Sequence, residues 1–262
     1  MSVRLSIRPS SAAWRRAFLG CRLPWALAVL AAAGWFESTA GAQTPQIGLA
    51  PTAQQAAQIP VVPQARFVVL LDAAHGGSDA GASLANGQTE KSFTLALSVR
   101  LRSLLAARGI QVVTTRESDA AVDPNRRAEI ANHAQAQACL SLHASQSGSG
   151  VHLFASSLSP AQPARFAAWK TAQAAWVTRS LALTGAINAA FQQAGIHVTL
   201  SRTSLPVVDS MACPAVAVEI APDHAAASQT VHSDLDDPEY LTRVAEALAA
   251  ALIEWRTEAH PL

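Results

Sequence analysis

The sequence predicts a single α/β domain, a mostly parallel or mixed sheet of about six strands with helices on both faces. Three observations carry this. Short apolar runs of strand length alternate with stretches whose apolar residues recur at helical spacing. Several runs, such as FVVLLD and PAVAVEI, are apolar without alternation, as strands covered on both faces are. Half of the 262 residues are apolar and 14% are charged, which excludes a disordered chain and gives enough apolar surface for one sizeable core. A net charge of +1 without blocks of like charge leaves no footprint for nucleic acid, and three cysteines are too few for a disulfide scaffold.

Residues 1–42 are set apart from that domain. They hold five arginines (Arg4, Arg8, Arg15, Arg16, Arg22) and one acid, Glu37, followed by the apolar run LPWALAVLAAAGWF. A basic flank, an apolar core of about 14 residues and Ala40-Gly41-Ala42 as a small-residue cleavage site have the order of an export signal. The run is shorter than the roughly 20 residues of a membrane span, so no stable span is expected after its removal. Arg15-Arg16-Ala17-Phe18-Leu19 resembles a twin-arginine signal, with an ordinary secretory signal as the alternative. Residues 43–65 contain Pro45, Pro51, Pro60 and Pro63 among Ala, Gln and Thr and read as a disordered linker. Without the signal the chain keeps 14 basic and 17 acidic residues, a net charge of −3. Residues 66–258 are the expected catalytic domain and 259–262 a tail.

Within the domain, Phe67–Asp72 is the first strand. Phe93, Leu97, Leu101, Leu104 and Leu105 form one stripe of a helix, with Gly109 at its C-cap. Ile110–Thr115 is the second strand. Asp123-Pro124 starts a helix through about Ala134, a capping acid followed by proline at the first helical position. Strands follow at Ala138–His143 and Gly150–Ser156, then a helix over Ala174–Gln193 and a buried strand at Pro214–Ile220. Asp237-Pro238 opens a last helix with Leu241, Val244, Ala245, Leu248, Leu252 and Trp255 on its core face.

Open α/β sheets bind ligands at the carboxyl ends of their strands. The first strand ends at Asp72 and leads to His75, the third ends in His143, PAVAVEI carries Glu219, and Glu90 begins the first helix near the same edge. A lone histidine at a strand end is more often structural than a ligand. Two imidazoles and a carboxylate from separate elements match the three protein ligands of a catalytic zinc, and the remaining acid is then the general base. The spacing leaves open which acid has which role.

At these residues the sequence resembles the zinc-dependent N-acetylmuramoyl-L-alanine amidases of the amidase type 3 family, which cut the amide between muramic acid and the stem peptide of peptidoglycan. The resemblance runs from about Phe67 to Trp255. It rests on VVLLDAAHGGSDAGA, NGQTEKSF, VVTTRESD, RRAEIAN, CLSLHAS and PAVAVEI. It implies that His75, Glu90 and His143 bind one zinc ion and that Glu219 is the catalytic acid/base. The expected substrate is then peptidoglycan or muropeptides, and the export signal places the expected monomer in the periplasm or cell envelope. A zinc peptidase, another amide hydrolase and a non-catalytic wall-binding module are the rival readings.

The sequence departs from the family pattern in two places. Ala73 and Ala74 stand where the family has Pro and Gly; if the Gly position is left-handed, alanine there costs about 1 kcal/mol. After Glu219 the chain reads IAPDHAAASQT, where His224 is expected to be a loop residue. Arg116 and Arg127 match recurrent family arginines and are expected to brace the structure by pairing with acids such as Glu117 or Asp123. Asp72 either orients His75 or caps a turn, and Asp79 stabilises the glycine-rich turn. Cys139 and Cys213 read as core residues whose pairing the sequence does not decide. Trp169 and Trp176 lie in the long stretch Ser156–Val177, where core packing, sugar stacking and a cleft lid are all open.

Overall fold

The computed structural model describes residues 66–84, 87–162, 168–224 and 234–259. Residues 1–42 and 43–65, expected to be an export signal and a linker, therefore lie outside the described residues. Six strands form one sheet: β1 (Val68–Ala73), β2 (Gln111–Thr114), β3 (Ala138–Ala144), β4 (Val151–Ser156), β5 (Val198–Thr203) and β6 (Ala215–Ile220), in the order β2-β1-β3-β6-β4-β5. Five helices accompany them: α1 (Glu90–Ala106), α2 (Pro124–Ala134), α3 (Val177–Gln193), the short α4 (Pro206–Asp209) and α5 (Pro238–Ala259). All neighbouring strands are parallel except β4 and β6.

The antiparallel pair follows from chain length. Only Ser145–Gly150 connect β3 to β4, and a parallel crossover needs a dozen or more residues. β4 therefore returns antiparallel, and β6 inserts between the two with His143 and His152 both opposite Glu219. The amino end of β4 thus lies at the same sheet edge as the carboxyl ends of β3 and β6.

Successive strand residues face opposite sides, which divides the core in two. On one face Val69, Leu71, Leu140, Leu142, Val216 and Val218 pack with Phe93 and Leu97 of α1, Leu183 and Ile187 of α3, and Val244 and Leu248 of α5. On the other, Val68, Leu70, Cys139, Ala215 and Ala217 pack with Ala128 and Ala131 of α2, and with Val208 and Met211. This second cluster is smaller. Further along the same face stand the polar residues Asp72, Ser141, His143, Glu219 and His152.

Several boundaries differ from the sequence reading. The α1 C-cap is Ala107, and Gly109, at φ +72°, reverses the chain two residues later. The helix expected over Ala174–Gln193 is α3, which starts three residues later at Val177 because a 3₁₀ segment, Trp169–Ala175, precedes it and the chain breaks at Trp176. Gln173 explains the break: its buried amide donates to the carbonyls of Val208, Met211 and Cys213 and accepts from Ser180, tying the segment to the α4 turn. β5 and α4 were not expected. VTLSRT is a largely exposed edge strand without an apolar run, recognised only by its pairing with β4. Cys139 and Cys213 form a disulfide across 74 residues of chain.

Candidate metal centre and acid site

His75, Glu90 and His143 come together at the carboxyl edge of the sheet. They are the one group of metal-competent side chains among the described residues, with one ligand atom from each lying within 4.8 Å of the others. His75 Nε2 is 3.0 Å from Glu90 Oε2, and His143 Nδ1 is 2.9 Å from Glu90 Oε1. Two imidazoles and a carboxylate are a donor set that zinc takes, and ligand atoms within 4.8 Å of one another are close enough to share one ion.

Each donor is oriented by a different device. His75 follows β1 in a left-handed conformation, φ +61°, and its Nδ1–H donates to Asp79 Oδ2 at 2.8 Å. That bond turns Nε2 toward Glu90. Asp79 also accepts from the backbone of Gly81, so it serves the turn and the imidazole together. The histidine bond comes first, and the backbone bond second, in holding its pKa below the usual carboxylate range. Gly81 is required here: at φ +66°, a Cβ on it would lie 2.6 Å from both His75 and Glu90. Ala74 does not adopt a left-handed conformation, so the cost considered for alanine at that position does not arise there.

Glu90 opens α1, where the helix dipole favours a carboxylate. Its Oε2 accepts from the Ala82 N–H at 2.9 Å and its Oε1 from the Ala144 N–H at 3.2 Å. Burial opposes its ionisation most strongly. The bonds from His143 and Ala82, with the nearby imidazoles, outweigh that and hold its pKa below the ordinary value.

His143 is supported from below. Ser141 Oγ lies 3.4 Å from His143 Nε2 and donates to Asp72 Oδ2 at 2.8 Å. Asp72 is therefore neither a partner of His75 nor a turn cap. It is a buried anchor, also accepting from Thr115 Oγ1 and from Arg127 Nη1 at 2.7 Å. The arginines differ from expectation as well. Arg127 pairs with Asp72 and not with Asp123, which caps α2, and it also donates to the carbonyls of Ala73 and His75. Arg116 donates to the carbonyls of Ala73, Ala74, Lys91 and Ser118, while Glu117 pairs with Arg102. Burial first, then Arg127, lowers the Arg116 pKa. Both cations fix the backbone that presents His75.

Glu219 sits in register beside His143 on β6. Its side chain is 31% exposed, against 7% for Glu90. Its carboxylate Oε1 lies 3.3 Å from His152 Nδ1, a residue that is not at a strand carboxyl end because β4 runs the other way. His224 is exposed, bonds through its backbone N–H to Ser149 Oγ, and lies outside the metal-competent group. The chain after it, residues 225–233, is outside the described residues.

A cleft of about 290 Å³ adjoins His75 and His143, walled on one side by Val122, Pro124, Leu205, Pro206, Val207 and Val208. Trp176 and Arg179 line a separate hollow at the opposite sheet edge, near Gln137 and Pro214. Trp176 is therefore away from the cleft, and Trp169 is half exposed. Residues 163–167 of the stretch considered as a lid lie outside the described residues.

A family model described as N-acetylmuramoyl-L-alanine amidase matches residues 69–254. The N-acetylmuramoyl-L-alanine amidase AmiA of Escherichia coli (strain K12) is 42% identical over 77 residues, 29% of this chain and 27% of that protein. The sporulation-specific N-acetylmuramoyl-L-alanine amidase of Bacillus subtilis (strain 168) is 38% identical over 82 residues, 30% of this chain and 32% of its own length. The chain thus spans about a third or less of these two curated relatives. The catalytic domain of CwlV, an amidase of the same description from Bacillus (Paenibacillus) polymyxa var. colistinus, superposes with a TM-score of 0.57 at 24% identity, covering 72% of this chain and 98% of that one. That likeness carries the fold.

Proposed function

The chain belongs to the amidase type 3 family of N-acetylmuramoyl-L-alanine amidases, and on that premise we propose that it hydrolyses the amide between the muramic acid lactyl group and L-alanine in peptidoglycan. The observation that carries the reading is an oriented His75–Glu90–His143 group with a solvent-accessible carboxylate, Glu219, one strand away. His75, Glu90 and His143 would hold zinc, which when bound supplies a Lewis acid for the carbonyl oxygen and lowers the pKa of water to about 7.

The chain's own groups do the rest. Glu219 takes a proton from the attacking water and returns it to the alanine nitrogen as the C–N bond breaks, giving a free carboxyl group and an L-alanine amine. Asp79 keeps His75 Nε2 facing the site, and Asp72 acts through Ser141 on His143. The apolar wall from Val122 to Val208 suits the lactyl and alanyl methyl groups. Among the described residues no helix is long and apolar enough to cross a membrane. Residues 1–42 as an export signal and a disulfide of the kind that persists in oxidising compartments together support action in the periplasm or cell envelope.

The test is digestion of purified sacculi by the zinc-loaded protein, with the new amine identified by mass. A freed L-alanine N-terminus is expected. A cut inside the stem peptide would make the protein a peptidase, and binding without product a wall-binding module.

A further inference from the structure

Glu90 and Glu219 stand at the same sheet edge, yet their surroundings differ. Glu90 accepts from two backbone N–H groups and lies against two imidazoles. Among the described residues the ion pair of the Glu219 carboxylate is with His152, whose Nδ1 lies 3.3 Å from Oε1. We infer that His152 is a positioning residue for Glu219, its Nδ1–H holding Oε1 so that the other oxygen faces the reacting water. This rests on the proposed role of Glu219.

His152 is itself held for the purpose. It stands opposite Glu219 in the β4–β6 register, on the same face. Phe154, two residues on, meets its ring edge-on with centroids 6.4 Å apart. The other side is closed by the β3–β4 connection at Gly148, φ +95°, where a Cβ would come within 2.2 Å of His152 Cε1 and 2.6 Å of Nε2. A residue with a side chain at 148 is strained at that φ and collides with the imidazole. The loop therefore uses its glycine to lay bare backbone over the ring, and the imidazole is left 20% exposed with Nδ1 toward the acid. In the free protein the two groups are in ion-pair contact without an aligned hydrogen bond, the state in which catalytic pairs commonly stand before substrate excludes water.

His152 touches none of the three proposed metal ligands in the described contacts, which makes the role separable from metal binding. In zinc-loaded protein, His152→Ala is expected to lower kcat on muropeptides about 10–100-fold, the range of a hydrogen bond to a charged group, with KM and zinc content unchanged. His152→Asn, whose amide N–H can replace Nδ1–H, is expected to recover most of the loss. Gly148→Ala, which moves the ring without removing it, should lower kcat in the same direction. A second readout needs no activity. Imidazole ¹⁵N spectra of the wild type at alkaline pH should show neutral His152 protonated on Nδ1, and Glu219→Ala should return it toward the Nε2–H form. Wild-type kcat in His152→Ala, or the Nε2–H form in the wild type, overturns the inference. If the wild type releases no muropeptide at all, the amidase reading fails, and the spectra still decide whether His152 holds Glu219.

Discussion

The two acids of the site are held in opposite ways. Glu90 is buried, takes hydrogen bonds on both oxygens and stays ionised because those bonds outweigh the cost of burial. Glu219 is about a third exposed and leans on one imidazole. A metal ligand must be charged and immobile, whereas a proton carrier must meet water and change its charge during each turnover. The supports follow the same division. Behind His75, Glu90 and His143 stand Asp79, Asp72, Arg127 and Arg116; behind Glu219, among the described residues, stand a strand register and His152.

The contrast can be broken at several points. The largest expected effect is Glu219→Gln, which should reduce sacculus hydrolysis by roughly 10²–10⁴-fold, the usual contribution of a positioned acid/base. Its zinc content should stay at the wild-type level. Arg127→Leu acts on the scaffold behind His143 by leaving the Asp72 carboxylate buried without its cation. A loss of about 3–5 kcal/mol in urea unfolding is expected, larger than any surface substitution would give. The paired Cys139→Ala and Cys213→Ala change removes a link closing 74 residues and should cost about 2–4 kcal/mol in the same assay, while the purified variant still binds zinc. Asp79→Ala is the mildest of the four. It frees the His75 ring and should weaken zinc about 10–100-fold in a competition titration, with the folded structure kept.

The first strand, the α2 start at Asp123-Pro124 and the convergence of His75, Glu90, His143 and Glu219 were legible because their signals are local: an apolar run, a cap, a strand end. Other features depend on the partner found in space. β5 is polar and exposed, so only its pairing with β4 defines it. Gln173 breaks a helical pattern through bonds to carbonyls 35 to 40 residues away. Asp72 and the two arginines were singled out, but their partners were not, since a buried arginine can reach backbone carbonyls far along the chain as readily as the acid beside it. His152 escaped for a topological reason. Strand carboxyl ends mark the site edge of a parallel sheet, whereas the short Ser145–Gly150 connection brings the amino end of β4 to that edge.

The most direct measurement is metal analysis of purified wild type, Glu219→Gln and Glu90→Gln proteins, run beside sacculus digestion. One zinc per chain is expected in the wild type and in Glu219→Gln, with product only from the wild type. Glu90→Gln should lose both metal and product. Loss of zinc in Glu219→Gln with retention in Glu90→Gln would reverse the two roles and contradict the account.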